Sequence, residues 1–114
     1  MIKNKTKGTI LCNESKILNT LFSKARGLMF HKKIRNLGLI FVFDKPRKID
    51  LHMFFVFFPI DVLFLDKNKK VLEIKENFKP FTFYYSKNKA SYVIELPKNT
   101  VKNTKTKYND IIIF

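Results

Sequence analysis

Tryptophan is absent from the 114 residues, cysteine occurs once, and only three glycines and four prolines interrupt the chain. Each shortage excludes something. With Cys12 alone, no intramolecular disulfide and no all-cysteine metal site can form. Its place in the apolar stretch Thr9-Ile10-Leu11-Cys12 predicts a buried, inert thiol, compatible with a reducing cytoplasm. Gly8, Gly27 and Gly38 are too few and too dispersed to build a phosphate cradle. No P-loop, dinucleotide-binding glycine pattern, EF-hand loop, zinc-protease helix or nucleophile elbow is present, so nucleotide hydrolysis by the common route is not expected.

Acidic residues are scarce as well, nine against 23 Lys and Arg, which gives a net charge of +14. Such an excess attracts polyanions and favours solubility. Lys greatly outnumbers Arg, however, and Lys lacks the planar fork that reads phosphates and base edges. A general bias toward Lys, Asn, Ile and Phe also accounts for the charge with no function attached. Long apolar runs are missing too. The longest, Leu51 to Leu65, is broken by His52, Pro59 and Asp61 and falls short of the roughly 20 residues a membrane helix needs. The basic start, Met1 to Lys7, is followed by an apolar stretch too short for an export signal, so a cytoplasmic protein with no membrane partner is expected.

What is present is core material. The chain is 46% hydrophobic, with 13 Phe and 4 Tyr, enough for one domain over residues 1–114 with a flexible basic arm at 1–7. Thr9 to Cys12 is a candidate strand, and Ile17, Leu18, Leu21 and Phe22 fall at helical spacing, predicting a helix over about Ser15 to Ser23 that exits at Ala25-Arg26-Gly27. Strands are predicted over Gly38–Phe43, ended by the turn signal Asp44-Lys45-Pro46-Arg47, then near Leu51–Phe55, Ile60–Leu65, Val71–Lys75, Ser91–Leu96 and Ile111–Phe114. Phe81 to Tyr85 is a short strand or a packed loop, and Asp66-Lys67-Asn68-Lys69 is a hairpin turn.

Asp61 and Glu95 are the pointed features. Each lies among strongly apolar neighbours, where an ionised carboxylate must face water or find donors. Two readings stay open: a scaffold role, with Asp61 capping backbone N–H groups near Phe57 to Pro59 and Glu95 paired with Arg26 or a lysine, or a cleft in which Arg26, His52, Asp61 and Glu95 hold a small polar ligand. His52 and His31 are the only imidazoles, and neither a catalytic residue nor a metal or cofactor is assigned. For nucleic acid, Lys67, Lys69 and Lys70 at the hairpin tip and the rings of Phe83, Tyr84 and Tyr85 are the candidates, since nonspecific single-strand binders combine aromatic stacking with a basic groove.

Four ordered motifs then carry a resemblance: Ala25-Arg26-Gly27-Leu28-Met29-Phe30, Gly38 to Phe43, His52 to Asp66, and Tyr92-Val93-Ile94-Glu95-Leu96. Together they resemble the uncharacterised protein family 0127, also called domain of unknown function 192, in its short archaeal form. The resemblance implies a mostly β (α+β) fold, a curved sheet or partly closed barrel with one N-terminal helix, and no established activity, substrate or cofactor. The family's characteristic polar positions fall on Arg26, Asp61 and Glu95. Where relatives often carry an arginine after the first motif this chain has His31, and where they favour glycine in the terminal turns it has Asn99, Lys105 and Asn109. Asn tolerates a left-handed backbone, so Lys105 is the turn expected to differ. Three function classes follow: a small-ligand or protein-interaction module, a nonspecific nucleic-acid (polyanion) binder, and an enzyme of undetermined class.

Overall fold

The computed structural model describes residues 1–18, 37–52 and 58–114. Among these, ten strands and one short helix form: β1 (Ile2–Asn4), β2 (Thr9–Cys12), β3 (Glu14–Leu18), β4 (Leu37–Arg47), β5 (Asp50–His52), β6 (Ile60–Leu65), β7 (Val71–Phe78), β8 (Phe83–Tyr85), β9 (Ala90–Pro97), α1 (Thr100–Thr104) and β10 (Ile112–Ile113). The protein is thus mostly β, as expected. Its sheets are open, with no closed barrel among the described residues, and the helix among the described residues lies near the C-terminus.

A five-stranded sheet in the order β3-β4-β9-β6-β7 organises everything else. Its centre is buried on both sides: all six residues of β6 are buried, and Ile60, Val62, Leu63, Phe64 and Leu65 are each 0% exposed. On one face Leu39, Phe41, Val62, Phe64 and Val93 form a core with Phe58 and Ile49, and Leu51 and Tyr84 of the small β5–β8 ribbon pack against it. On the other, Ile40, Leu63, Leu65, Ile94 and Leu96 meet Ile2, Leu11, Cys12, Val101 and Ile112 from the β10-β1-β2 sheet and α1. Gly38 permits that second contact. A Cβ there would collide with the Ile2 side chain and lie 3.3 Å from Leu96 Cδ2.

Two expectations are corrected near the N-terminus. Met1 to Lys7 is not a flexible arm, because Ile2 and Asn4 are fully buried and β1 pairs with both β2 and β10. Asn4 Nδ2 donates to Asp110 Oδ2 at 2.9 Å and to Thr106 Oγ1 at 3.1 Å, while Lys7 Nζ reaches both Asp110 oxygens at 2.9 Å. The chain ends are therefore tied together through Asp110. Burial works to raise the Asp110 carboxyl, but these donors win and hold it below the usual 3.8. Second, Ser15 to Leu18 belongs to a strand, not the predicted helix: β3 pairs parallel with β4, Ile17 is 57% exposed and Leu18 is buried. The remainder of that prediction, with Arg26 and His31, lies outside the described residues, as does the 53–55 part of the strand predicted near Leu51–Phe55.

β6, β7 and β9 match the sequence reading, with β7 running on to Phe78, and β4 likewise extends past its predicted end through Pro46 to Arg47. α1 was not foreseen. Its first turn is held from a distance, as Asp61 Oδ2 accepts the Val101 N–H at 2.9 Å. Asp61 Oδ1 accepts the Asn77 N–H at 3.0 Å, so one carboxylate 1% exposed pins both the end of β7 and the start of α1. The helix ends at Lys105, whose backbone has φ 58 and whose N–H returns to Val101 and Lys102 carbonyls. Asn99 and Asn109 also take positive φ, 70 and 71, so all three terminal turns keep a left-handed residue and Lys105 does not differ.

Two stability outcomes follow. Asp61→Asn, which can supply one acceptor oxygen where two N–H groups need acceptors, is expected to cost about 2–4 kcal/mol in urea unfolding, with the native spectrum retained below the transition. Lys105→Gly removes a left-handed strain at an exposed helix end and should raise stability by roughly 0.5–1 kcal/mol.

Candidate ligand site on the central sheet

Glu95 sits on β9, the middle strand of the five, directly opposite Leu39 on β4 and Val62 on β6. Both neighbours are buried members of the first core, so the carboxyl projects from the sheet face that the β5–β8 ribbon covers in part. Glu95 is partly buried between these apolar neighbours. Burial alone pushes its carboxyl up to about 7. A group in that state takes up or releases a proton near neutral pH.

Asp61 does not join Glu95. It pairs in register with Leu96, one residue on, and successive strand residues point to opposite faces. Its contacts with Asn77 and Val101 confirm the direction, since Val101 belongs to the second core. Asp61 therefore caps backbone groups, with Asn77 and Val101 as donors in place of the expected Phe57 to Pro59 passage. His52 ends β5, opposite Phe83, on the ribbon layered over the Glu95 face. Arg26 lies outside the described residues.

Another buried carboxylate escaped the sequence reading. Glu73, 4% exposed, accepts the Tyr84 hydroxyl on Oε2, and its Oε1 accepts the Lys87 and Asn88 backbone N–H groups at 2.9 and 3.0 Å. Burial tends to raise it, yet the Tyr84 hydroxyl and the Asn88 and Lys87 donors hold it below 4.5. Burial, then the bond and charge of Glu73, push the Tyr84 phenol up to about 12. This link straps the loop after β8 onto β7. The only signal for it in the sequence was Glu73 alternating with Leu72 and Ile74 on a strand, which resembles an ordinary solvated position.

The nucleic-acid candidates also separate. Tyr84 turns inward between Phe64 and Phe78, with ring centroids at 5.8 and 6.3 Å. Phe83 and Tyr85 stay exposed. Lys67 is exposed, but Lys69 lies 4.0 Å over the Phe114 ring and Lys70 bridges to Ile111, so two of the three hairpin lysines are packed against the C-terminal strand. Cys12 is buried, as expected, and burial pushes its thiol up to about 11. No helix among the described residues is long and apolar enough to cross a membrane.

Comparison with known proteins agrees with the motifs. The DUF192 family model, described as an uncharacterized ACR, matches residues 2–114. The UPF0127 protein of Thermococcus sibiricus is 35% identical over 114 residues, covering 98% of this chain and 73% of that protein. The UPF0127 protein of Pyrococcus horikoshii is 33% identical over 98% of this chain and 96% of its own length. Among solved structures, a protein of Sinorhizobium meliloti described as a candidate transcription regulator superposes with a TM-score of 0.82 at 24% identity, covering 87% of this chain and 79% of that one. A protein of unknown function from Novosphingobium aromaticivorans gives the same TM-score at 23% identity, over 88% and 74%. At that identity the two structures speak for the fold alone. With four sequence motifs, a family match spanning residues 2–114 and relatives above 30% identity over nearly its full length, the chain belongs to the uncharacterised UPF0127 (DUF192) family.

Proposed function

We propose that this protein is a small-ligand module whose site is the Glu95 face of the central sheet, with Arg26 as a further candidate contact, and that the ligand carries an amine, a guanidine or another strong donor beside an apolar body; His52, in register with Phe83, falls on the opposite side of its ribbon from Leu51 and Tyr84. One observation carries the reading: a carboxyl on the middle strand of the sheet, flanked by the buried Leu39 and Val62, whose surroundings disfavour its charge. A carboxyl whose ionisation is disfavoured by an apolar sheet environment is a candidate functional group. A lone, buried thiol at Cys12 fits a reducing compartment, which supports a cytoplasmic setting.

A screen of primary amines and alkylguanidines, n-butylguanidinium among them, read by NMR at pH 7.5 is expected to yield ligands that shift Glu95 and its sheet neighbours Leu39 and Val62. The same compounds should leave Glu95→Gln unmoved. Failure of every compound at 1 mM, or equal response in the variant, would contradict the site.

The pH dependence of stability supplies a second outcome. An acid raised in the folded state contributes stability in full below its unfolded value of about 4.5, and that contribution is lost as pH rises through about 7. Glu73 and Asp110 act oppositely, contributing above their usual values and losing that contribution as the pH falls through their lowered ones. They are shared by parent and variant and cancel in the difference. Glu95→Gln should therefore exceed the parent in stability at pH 8, by up to roughly 3 kcal/mol, with the gap closing near pH 5. Equal pH profiles for the two proteins would contradict the assignment.

A further inference from the structure

Residues in register form rows across the five-stranded sheet, and one row carries charge at its centre and at both ends. Lys16 on β3 pairs with Leu39 on β4, Leu39 with Glu95 on β9, Glu95 with Val62 on β6, and Val62 with Lys75 on β7. Residues paired across strands share a face, so these side chains stand on the side of the first core, to which Leu39 and Val62 belong. Along β9 the same face has Val93 and Pro97 on either side of Glu95, so the charge belongs to this one row.

The two lysines are unequal. Lys16 lies on the end strand β3 and is exposed, whereas Lys75 is partly buried and its ammonium is held 5.4 Å from the centroid of the Tyr84 ring. That contact orients the cation without neutralising it. Glu73, two residues along β7 on the same face, has its oxygens taken by the Tyr84 hydroxyl, the Lys87 and Asn88 backbone N–H groups and the Asn88 side chain. Val62 stands between Glu95 and Lys75, which puts those two strands apart by two spacings, about 10 Å. Val62 is shorter than either neighbour and fully buried, while Glu95 and Lys75 both keep contact with solvent. An acid and a turned-away cation thus share one row, with an apolar step between them.

We propose that the ligand of the Glu95 site is a zwitterion, a linear amino acid whose amine meets Glu95, whose carboxylate meets Lys75 and whose methylene chain crosses the Val62 position. This rests on the Glu95 reading and adds the second pole of the ligand. A simple amine would satisfy Glu95 and leave the Lys75 cation repelling it from along the row; a simple acid would meet the reverse arrangement. A molecule carrying both charges satisfies both groups through charge-assisted hydrogen bonds. The separation sets the chain length, because an amine and a carboxylate on one carbon cannot reach both ends of the step.

NMR titration at pH 7.5 and about 50 mM salt with 6-aminohexanoate, hexylamine, hexanoate and glycine tests this. The parent protein should bind 6-aminohexanoate at least fivefold more tightly than hexylamine or hexanoate, and glycine should bind no better than hexanoate. Lys75→Gln should lose that preference while still binding hexylamine, which also reports a folded site. Lys75→Arg, which keeps the cation, should retain the preference, and Lys16→Gln at the other end of the row should leave it unchanged. Hexylamine binding that Glu95→Gln abolishes, with no preference for 6-aminohexanoate in the parent, would overturn the zwitterion and leave the Glu95 site standing. No binding of any of the four probes would remove both. A preference that survives Lys75→Gln, or that disappears in Lys16→Gln, would overturn the place given to Lys75.

Discussion

A sheet buried on both faces leaves no neutral ground for a polar side chain in its central strands. β6 and β9 run through the middle of such a sheet, between a core shared with the β5–β8 ribbon and a core shared with β1, β2, β10 and α1. Every carboxylate that enters this region must either collect donors or give up its charge as the pH falls. The architecture follows from how those demands are met. Asp61 collects two backbone N–H groups and in doing so fixes the end of β7 and the first turn of α1, which has no side-chain cap of its own. Glu73 collects the Tyr84 hydroxyl and the Lys87 and Asn88 amides and holds the ribbon down. Asp110, at the rim, gathers Asn4 and Lys7 and closes the two chain ends on each other.

Set against these three, Glu95 is the exception. It occupies the same sheet, one residue from the position opposite Asp61, but projects to the other face, beside Leu39 and Val62. The contrast is one of direction more than of sequence. A one-residue step along a strand changes the face, and here it separates a capping carboxylate from one held near neutrality.

Much of the sheet was legible from residue patterns. β6 has continuous apolar residues between Pro59 and the Asp66–Lys69 turn, and β9 has the same pattern up to Pro97, so their extents are local information. β3 was not legible because Ile17 and Leu18 also fit the start of a helical spacing, and its partner β4 lies beyond residues 19–36 in the chain. α1 was missed for a related reason. Asn, Thr and Val are indifferent helix formers, and the group that caps the helix stands 40 residues away. Asp61 and Glu95 announced themselves as charges among apolar residues, but which one is satisfied depends on strand register that no local pattern contains. Glu73 gave no comparable signal, since its donors come from the loop after β8.

The most direct test of this account is a carbon-detected NMR titration of the Glu95 side-chain carboxyl in the intact protein. A midpoint near 7, well above those of Glu73 and Asp110 in the same sample, is the predicted result. A midpoint at or below 4.5 would show that Glu95 has donors or water enough to stay charged, and would remove the basis for a ligand site on that face.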